Sequence, residues 1–174
     1  MSAVDNTPSN KNFLSPLNFK FVLKRAPHVN FFVQKVTIPG ISLAAVTTPN
    51  PLLRIPEPGD QLDFEELSIT FRVDENLQNY LEIQNWLRAI GKQSFQQYGA
   101  IAVNKAFTGE SIKSDVSLTV LSSAKRPNYE IVFEDAFPTG ISSIEFDSSM
   151  EDVMYIEAEA SFRYTKYEIT KVTP

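Results

Sequence analysis

Residues 66–91, ELSITFRVDENLQNYLEIQNWLRAIG, change their hydrophobic period partway along, and that change decides the fold. Leu67, Ile69, Phe71 and Val73 alternate with Ser68, Thr70, Arg72 and Asp74. An alternation of two sets four apolar side chains on one face of a strand and four polar ones on the other. From Leu77 the apolar positions Tyr80, Leu81, Ile83, Trp86, Leu87 and Ile90 recur at helical spacing, with a period near 3.6. Asp74 or Asn76 is expected to cap the helix start and Gly91 to stop it. Burial of Leu81, Trp86 and Leu87 should each contribute roughly 1.5–3 kcal/mol. The stretch therefore reads as a half-buried strand feeding directly into the one helix of any length.

Outward from this centre the chain reads as β. Leu17, Phe19, Phe21 and Leu23 alternate with polar or smaller residues, Arg25-Ala26-Pro27-His28 turns, and VNFFVQKVTI follows; a hairpin is the simplest expectation. Residues 41–60 carry Pro49, Pro51, Pro56, Pro58 and Gly59. Prolines cannot donate to a ladder, so the segment is an edge or an extended loop. Loops beyond roughly 12–15 residues are usually functional or disordered. The apolar Leu43, Val46, Leu52, Leu53 and Ile55 favour a loop that docks.

Further strands are expected at 100–103, 116–121, 129–134 and 144–147. A long final strand has Met154, Ile156, Ala158, Ala160, Phe162 and Tyr164 on one parity and Tyr167 and Ile169 on the other, so an inserted residue, a bulge near Lys166, is expected. The fold class is mainly β with one α-helix, a β-sandwich or partial barrel. Residues 1–15 are expected to be a flexible, polar N-terminal arm ahead of a single domain at 16–174.

Composition excludes several functions. A chain of 174 residues can bury about 70% of its unfolded surface without a metal or disulfide staple. With no cysteine, thiol catalysis, disulfides and cysteine-ligated metals are out. His28 is the only histidine, beside Pro27, and reads as a surface or interface residue. A net charge of −5 argues against a grip on nucleic acid through phosphate neutralisation, though not against letting nucleic acid pass. The start of the chain lacks a signal-peptide pattern, and no apolar run approaches the ~20 residues of a membrane span.

No glycine spacing fits a phosphate loop. The adjacent carboxylates Glu65-Glu66, Glu134-Asp135 and Glu151-Asp152 read as surface charge rather than acid–base machinery, and Ser122-Ser123 and Ser148-Ser149 have no base nearby. Trp86 reads as core. No catalytic residue, metal ligand or cofactor is assigned, and the chain is not expected to be an enzyme.

Laid out in order, the pieces resemble the tail tube proteins of contractile-tailed bacteriophages, with their relatives in baseplate tube-initiator rings and contractile injection systems. The carrying residues are VNFFVQKVTIPGISL at 29–43, the strand, acidic turn and helix at 66–91, and FEDAFPTGISSIEFDSSMEDVMYIEAEASFRYTKYEI at 133–169. None of these motifs is catalytic. Their order and spacing carry the resemblance, which covers residues 17–169 discontinuously. The proline-rich 41–60 departs from the pattern.

The resemblance implies a structural virion protein of the tail, assembled in the host cytoplasm. Its sheets would join those of neighbours in hexameric rings, stacked into a tube for genome delivery. It further implies sheath, tape-measure and baseplate partners, and transient passage of DNA without specific binding or membrane insertion. A baseplate tube-initiator ring is the alternative within the class, and a carbohydrate-binding β-sandwich module, suggested by Trp86 and scattered tyrosines, the alternative outside it. Under the tube reading, the polar faces at Glu157, Glu159, Ser161, Arg163, Ser68, Thr70 and Arg72 would line the lumen, biased to negative charge, against the plainer reading that they face water on a monomer. Phe13, Leu14, Leu43, Val46, Leu52, Leu53 and Ile55, which a lone domain would leave wet, would lie at subunit contacts.

Overall fold

The computed structural model describes residues 12–49, 53–93, 112–149 and 155–172, together with Gln96, Tyr98 and Gly99. The described chain is mainly β: β1 (Phe19–Leu23), α1 (Pro27–Phe32), β2 (Val33–Thr37), β3 (Ile41–Thr48), β4 (Ile55–Phe64), β5 (Leu67–Arg72), α2 (Gln78–Ile90), β6 (Ser114–Leu121), β7 (Pro127–Ile141), β8 (Glu157–Arg163) and β9 (Lys166–Lys171). Among the described residues one sheet runs β1-β6-β7-β8-β5-β2, with β9 also on β7, and does not close into a barrel; β3 and β4 there pair only with each other.

The central strand is the one expected from its alternation. Leu67, Ile69 and Phe71 are fully buried and lie opposite Phe162, Ala160 and Ala158 of β8 in an unbroken antiparallel register. Trp86 stands 6.2 Å from Phe162, ring centre to ring centre, and its indole N–H donates to the Ile112 carbonyl at 2.9 Å. Ile83 and Ala89 are buried beside it, so Trp86 is core. Leu81, by contrast, is exposed, because it points away from the stripe made by Ile83, Trp86 and Ala89.

The helix ends differ from expectation. Neither Asp74 nor Asn76 caps α2: the N-cap position is Leu77, in the left-handed region at φ 57°, without a side-chain cap. The buried Asn79 instead ties the helix back to the strand, its amide donating to Arg72 O at 2.7 Å while its Oδ1 accepts from Asp74 N at 3.3 Å. At the other end Gly91 closes the helix through Leu87 O, 2.9 Å away, but the left-handed residue is Lys92 at φ 54°.

The expected first hairpin is absent. Pro27 opens a short helix, for which its fixed φ is suited, and Val29 is buried with Phe32 packed on the core. This i, i+3 spacing is helical, and an apolar run of this length fits either period. Asn30 secures the turn by accepting from Leu23 N at 2.7 Å and donating to Leu23 O at 3.2 Å. β1 consequently pairs with β6 and β2 with β5.

Residues 144–147 form no strand; Asp147 turns the chain by accepting from Ser149 N and Oγ, which holds its carboxyl below the usual range. The strand expected at 100–103 lies outside the described residues.

The final strand changes parity as expected, but not through one bulge. It divides into β8 and β9, which meet β7 in one register across their junction, with Phe137 opposite Arg163 and Glu134 opposite Lys166, and the register shifts only farther on, between Pro138 and Gly140. β7 makes the same change: Ile131 and Phe133 are buried before the corner, Ala136 and Pro138 after it, with Asp135 between them at φ 59°. Both strands flip together, so the ladder keeps its register while the sheet turns a corner.

Candidate functional site

The β2-β5-β8 face away from the core gathers the polar residues expected to line a lumen. Ser68 lies opposite Ser161, Thr70 opposite Glu159 and Arg72 opposite Glu157, with Arg163 one step beyond. β2 adds two residues that the sequence reading did not include, Lys35 opposite Thr70 and Thr37 opposite Ser68. Their signal is weak, because β2 is short and follows directly on a helix.

This face is internally compensated. Arg163 Nε donates to Glu66 at 2.9 Å, and Ser68 Oγ to Glu159. Gln34 bridges Arg72 and Glu157 when its amide nitrogen donates to Glu157 at 2.6 Å and its oxygen accepts from Arg72. The Arg72 guanidinium also lies 4.7 Å from the centre of the Tyr155 ring. Lys35, Arg72 and Arg163 therefore stand against Glu66, Glu157 and Glu159. The expected negative bias is not found: the face is polar and balanced.

Residues 41–49 and 53–64 form a second feature, and here the expectation of an extended loop is corrected. The segment is a β-hairpin that continues the β2–β5 ladder: Thr37 opposite Ser68 leads in the same register to Ile41 opposite Phe64 and Leu43 opposite Leu62. Pro56 and Pro58 lie opposite Thr47 and Ala45. They are tolerated because the partner strand needs no donor from them and the outer edge has none to satisfy.

Cross-strand partners share a face, so Ile41, Leu43, Ala45, Pro58, Leu62 and Phe64 make one apolar side, while Ser42, Asp63 and Glu57 fall on the other along with Val46. Ile41, Leu43, Val46, Leu53, Ile55 and Leu62 are all exposed. Leu52 lies outside the described residues. Phe13 and Leu14, also expected at contacts, are 97% and 69% exposed.

The hairpin is bolted to the corner of the main sheet. Glu65 N donates to Gly40 O at 3.1 Å, and the Glu65 carboxylate accepts from Gly40 N at 3.1 Å. Tyr164 OH donates to Glu65 O at 2.9 Å and Tyr167 OH to Pro39 O at 3.2 Å. The Phe64, Phe133, Tyr164 and Tyr167 rings interlock mostly edge to face, with centres 5.1–6.0 Å apart. Burial chiefly pushes the Tyr164 hydroxyl up to about 12, so it stays a donor at physiological pH.

Among the described residues no group of three or more His, Cys, Asp or Glu could hold a metal ion, and no helix is long and apolar enough to cross a membrane. His28 meets Glu82 across α1 and α2; that hydrogen bond first, and the Glu82 charge second, raise its pKa above 6.5. Trp86, on which a carbohydrate-binding surface would have rested, is only 2% exposed.

A family model described as "phage tail tube protein" matches residues 6–170. No curated protein sequence matches the chain. Among solved structures, the cap that terminates the tube of the anti-feeding prophage is similar, at 13% identity and TM-score 0.62, covering 99% of this chain and 100% of that one. A chain of the sheath–tube complex of an extracellular contractile injection system, in its extended state, is similar at 13% identity and TM-score 0.61, covering 99% of each chain. A chain of the six-fold symmetrised anti-feeding prophage baseplate is similar at 12% identity and TM-score 0.60, covering 87% of this chain and 90% of that one. At such identities the likeness is one of fold.

Proposed function

The chain belongs to the phage tail tube protein family, and from that premise we propose that it is the structural subunit of a tail tube, forming stacked hexameric rings around a channel for genome delivery. The observation that carries this reading is the open sheet. Among the described residues the outer edge of β2 is unpaired, and Phe137–Ile141 of β7 has no partner on the side away from β8. Unpaired edges are a liability in a lone domain. Joining the edge of one copy to the edge of the next is a head-to-tail contact, and such contacts close into rings when the rotation allows.

In such a ring the polar face of Ser68, Thr70, Arg72, Glu157, Glu159, Ser161 and Arg163 is the lumen lining. Its compensated charge leaves no patch of free cations to hold phosphates, so DNA slides through without specific binding. The hairpin residues Leu43, Val46, Leu53 and Ile55, with Leu52 and with Phe13 and Leu14 of the arm, are the subunit contacts. Sheath, tape-measure and baseplate proteins are the remaining partners, and the protein belongs to the virion tail after assembly in the host cytoplasm. A tube-initiator ring of the baseplate is the second reading, favoured by the fold likeness to the baseplate chain.

The test is negative-stain imaging of the purified protein at rising concentration. Rings or rods are expected. A preparation that stays monomeric up to the millimolar range refutes the tube reading.

A further inference from the structure

With a single histidine and no cysteine, the chain has in His28 its one side chain whose ordinary pKa lies between about 5 and 8. The fold places that side chain where two helices meet. α1 packs on α2, β1 and β5, with Val29 buried and Phe32 against the core. His28 ties α1 to α2: its backbone N–H donates to Glu82 Oε2 at 3.3 Å, and its Nδ1 meets Glu82 Oε1 at 2.5 Å. A single carboxylate thus holds both the main chain and the ring of this residue.

Any movement of α1 passes directly to the edge of the sheet. Phe32 ends the helix and Val33 begins β2, so no loop absorbs a shift between them. β2 is the outer strand of its sheet among the described residues, and its ladder with β5 is irregular at this junction, between Val33 and Lys35. Gln34, within that irregularity, reaches Arg72 and Glu157 on the polar face.

The charged groups around His28 favour its cation. Glu82 touches it, and Asp74, in the turn before α2, adds a weaker attraction. Arg88, also on α2, sits in the last turn of that helix. In the turn before α1, Arg25 lies over the Trp86 ring at 5.3 Å and Lys24 faces Asp115 at 3.7 Å. Of the other elements packed on α1, β1 carries Lys20, exposed opposite Thr119, and β5 carries Arg72, beside Tyr155. With its proton on, His28 completes a charged pair; with the proton off, a neutral imidazole stands beside carboxylates.

We propose that His28 is a proton-operated latch on assembly: as the cation it fastens α1 to Glu82 and sets the β2 edge for joining the next copy, and without its proton it lets that edge relax. This rests on the tube reading, and it adds a condition under which subunits join. The folded pKa of His28 is raised above its ordinary 6.5, so the latch is fully closed below pH 6.5 and opens as pH rises through the raised value. The His28 side chain is 56% exposed, so each latch is weak, but a ring needs all its chains competent at once. A fall of about twofold in the competent fraction of each of six chains lowers ring closure by roughly 60-fold.

Two measurements test the latch. Because the chain has one histidine, NMR of the untagged monomer follows a single imidazole; it should titrate above pH 6.5, and titration at or below that value overturns the proposal. The critical concentration for rings and rods, read by sedimentation at constant ionic strength, should rise by roughly tenfold or more from about pH 6 to about pH 8.5. His28→Gln and Glu82→Gln should each flatten that rise. A flat profile in the parent overturns the latch while leaving the tube reading intact. So does the parent's profile in either variant, which would hand the dependence to the α-amino group, the other group titrating in this range. A parent protein that stays monomeric at every pH refutes the tube reading itself, and the latch with it.

Discussion

Gly59→Ala should separate folding from assembly. A Cβ built at Gly59 falls 2.3 Å from the Ala44 carbonyl oxygen and 3.1 Å from its carbon. Both are backbone atoms, so no side chain can swing aside. Restoring an ordinary contact of about 3.4 Å requires the two arms to part locally by about 1 Å, which stretches a ladder hydrogen bond from ~2.9 Å to nearly 4 Å, beyond bonding range.

Losing one or two such bonds costs about 0.5–1.5 kcal/mol each, in line with the 1–3 kcal/mol typical of overpacking. Two-stranded hairpins are marginal on their own, so that cost is enough to open the middle of this one. The core of the main sheet takes no part, because among the described residues β3 and β4 pair only with each other. Melting should move by no more than about 3 °C, less than the effect of 1–2 kcal/mol spread over the whole domain.

The assay is a thermal melt of the monomer beside negative-stain imaging of concentrated protein, with Gln61→Ala on the same arm as control. Loss of tubes at an unchanged melting temperature is expected. Gly59→Ala protein that assembles as the parent does would refute the claim that hairpin geometry governs assembly, and a large fall in melting would refute the claim that the hairpin is energetically separate.

Three other outcomes are expected. Trp86→Ala should cost about 3–5 kcal/mol and orphan the Ile112 carbonyl, whereas Trp86→Phe should cost only about 1 kcal/mol for the lost hydrogen bond; equal melting of the two variants in denaturant would contradict the buried-indole geometry. Replacing Glu157 and Glu159 together with lysine leaves Glu66 alone against Lys35, Arg72, Arg163 and the two introduced cations, so assembled tails should eject DNA more slowly in a phage background; normal ejection would remove these residues from the lumen. His28 has a folded pKa raised above its unfolded value, so its contribution is fully present below pH 6.5 and fades as pH rises through the raised value; His28→Gln should flatten the dependence of melting on pH across that window, and an identical pH profile in parent and variant would exclude the His28–Glu82 contact in solution.

Much of this protein was legible from local pattern. The strand at Leu67–Arg72 and the helix after it followed from a change of period within one continuous stretch, and the parity switch between Tyr164 and Tyr167 followed from the alternation breaking. Those signals are local because a side chain's face is set by its own backbone period. The polar residues of the candidate lumen face were legible for the same reason, being the other half of each alternation.

Other features were settled by residues far away in the chain. The VNFF run fits a strand or a helix equally, and it is Val29 and Phe32 meeting the core, with Asn30 binding Leu23, that makes it helical. The prolines of 41–60 argue against a ladder on their own, yet the hairpin stands because its root is locked by Tyr164 and Tyr167, over a hundred positions later.

The charge balance of the polar face likewise needed Glu66 and Gln34 brought beside Arg163 and Arg72. The compensating flip at Asp135 could not be seen from the final strand, since register belongs to a pair of strands and not to either one. Sequence by itself determined which face each residue takes within its element; which elements meet, and so which surfaces are left for a second copy, was decided by contacts that exist only once the chain has folded.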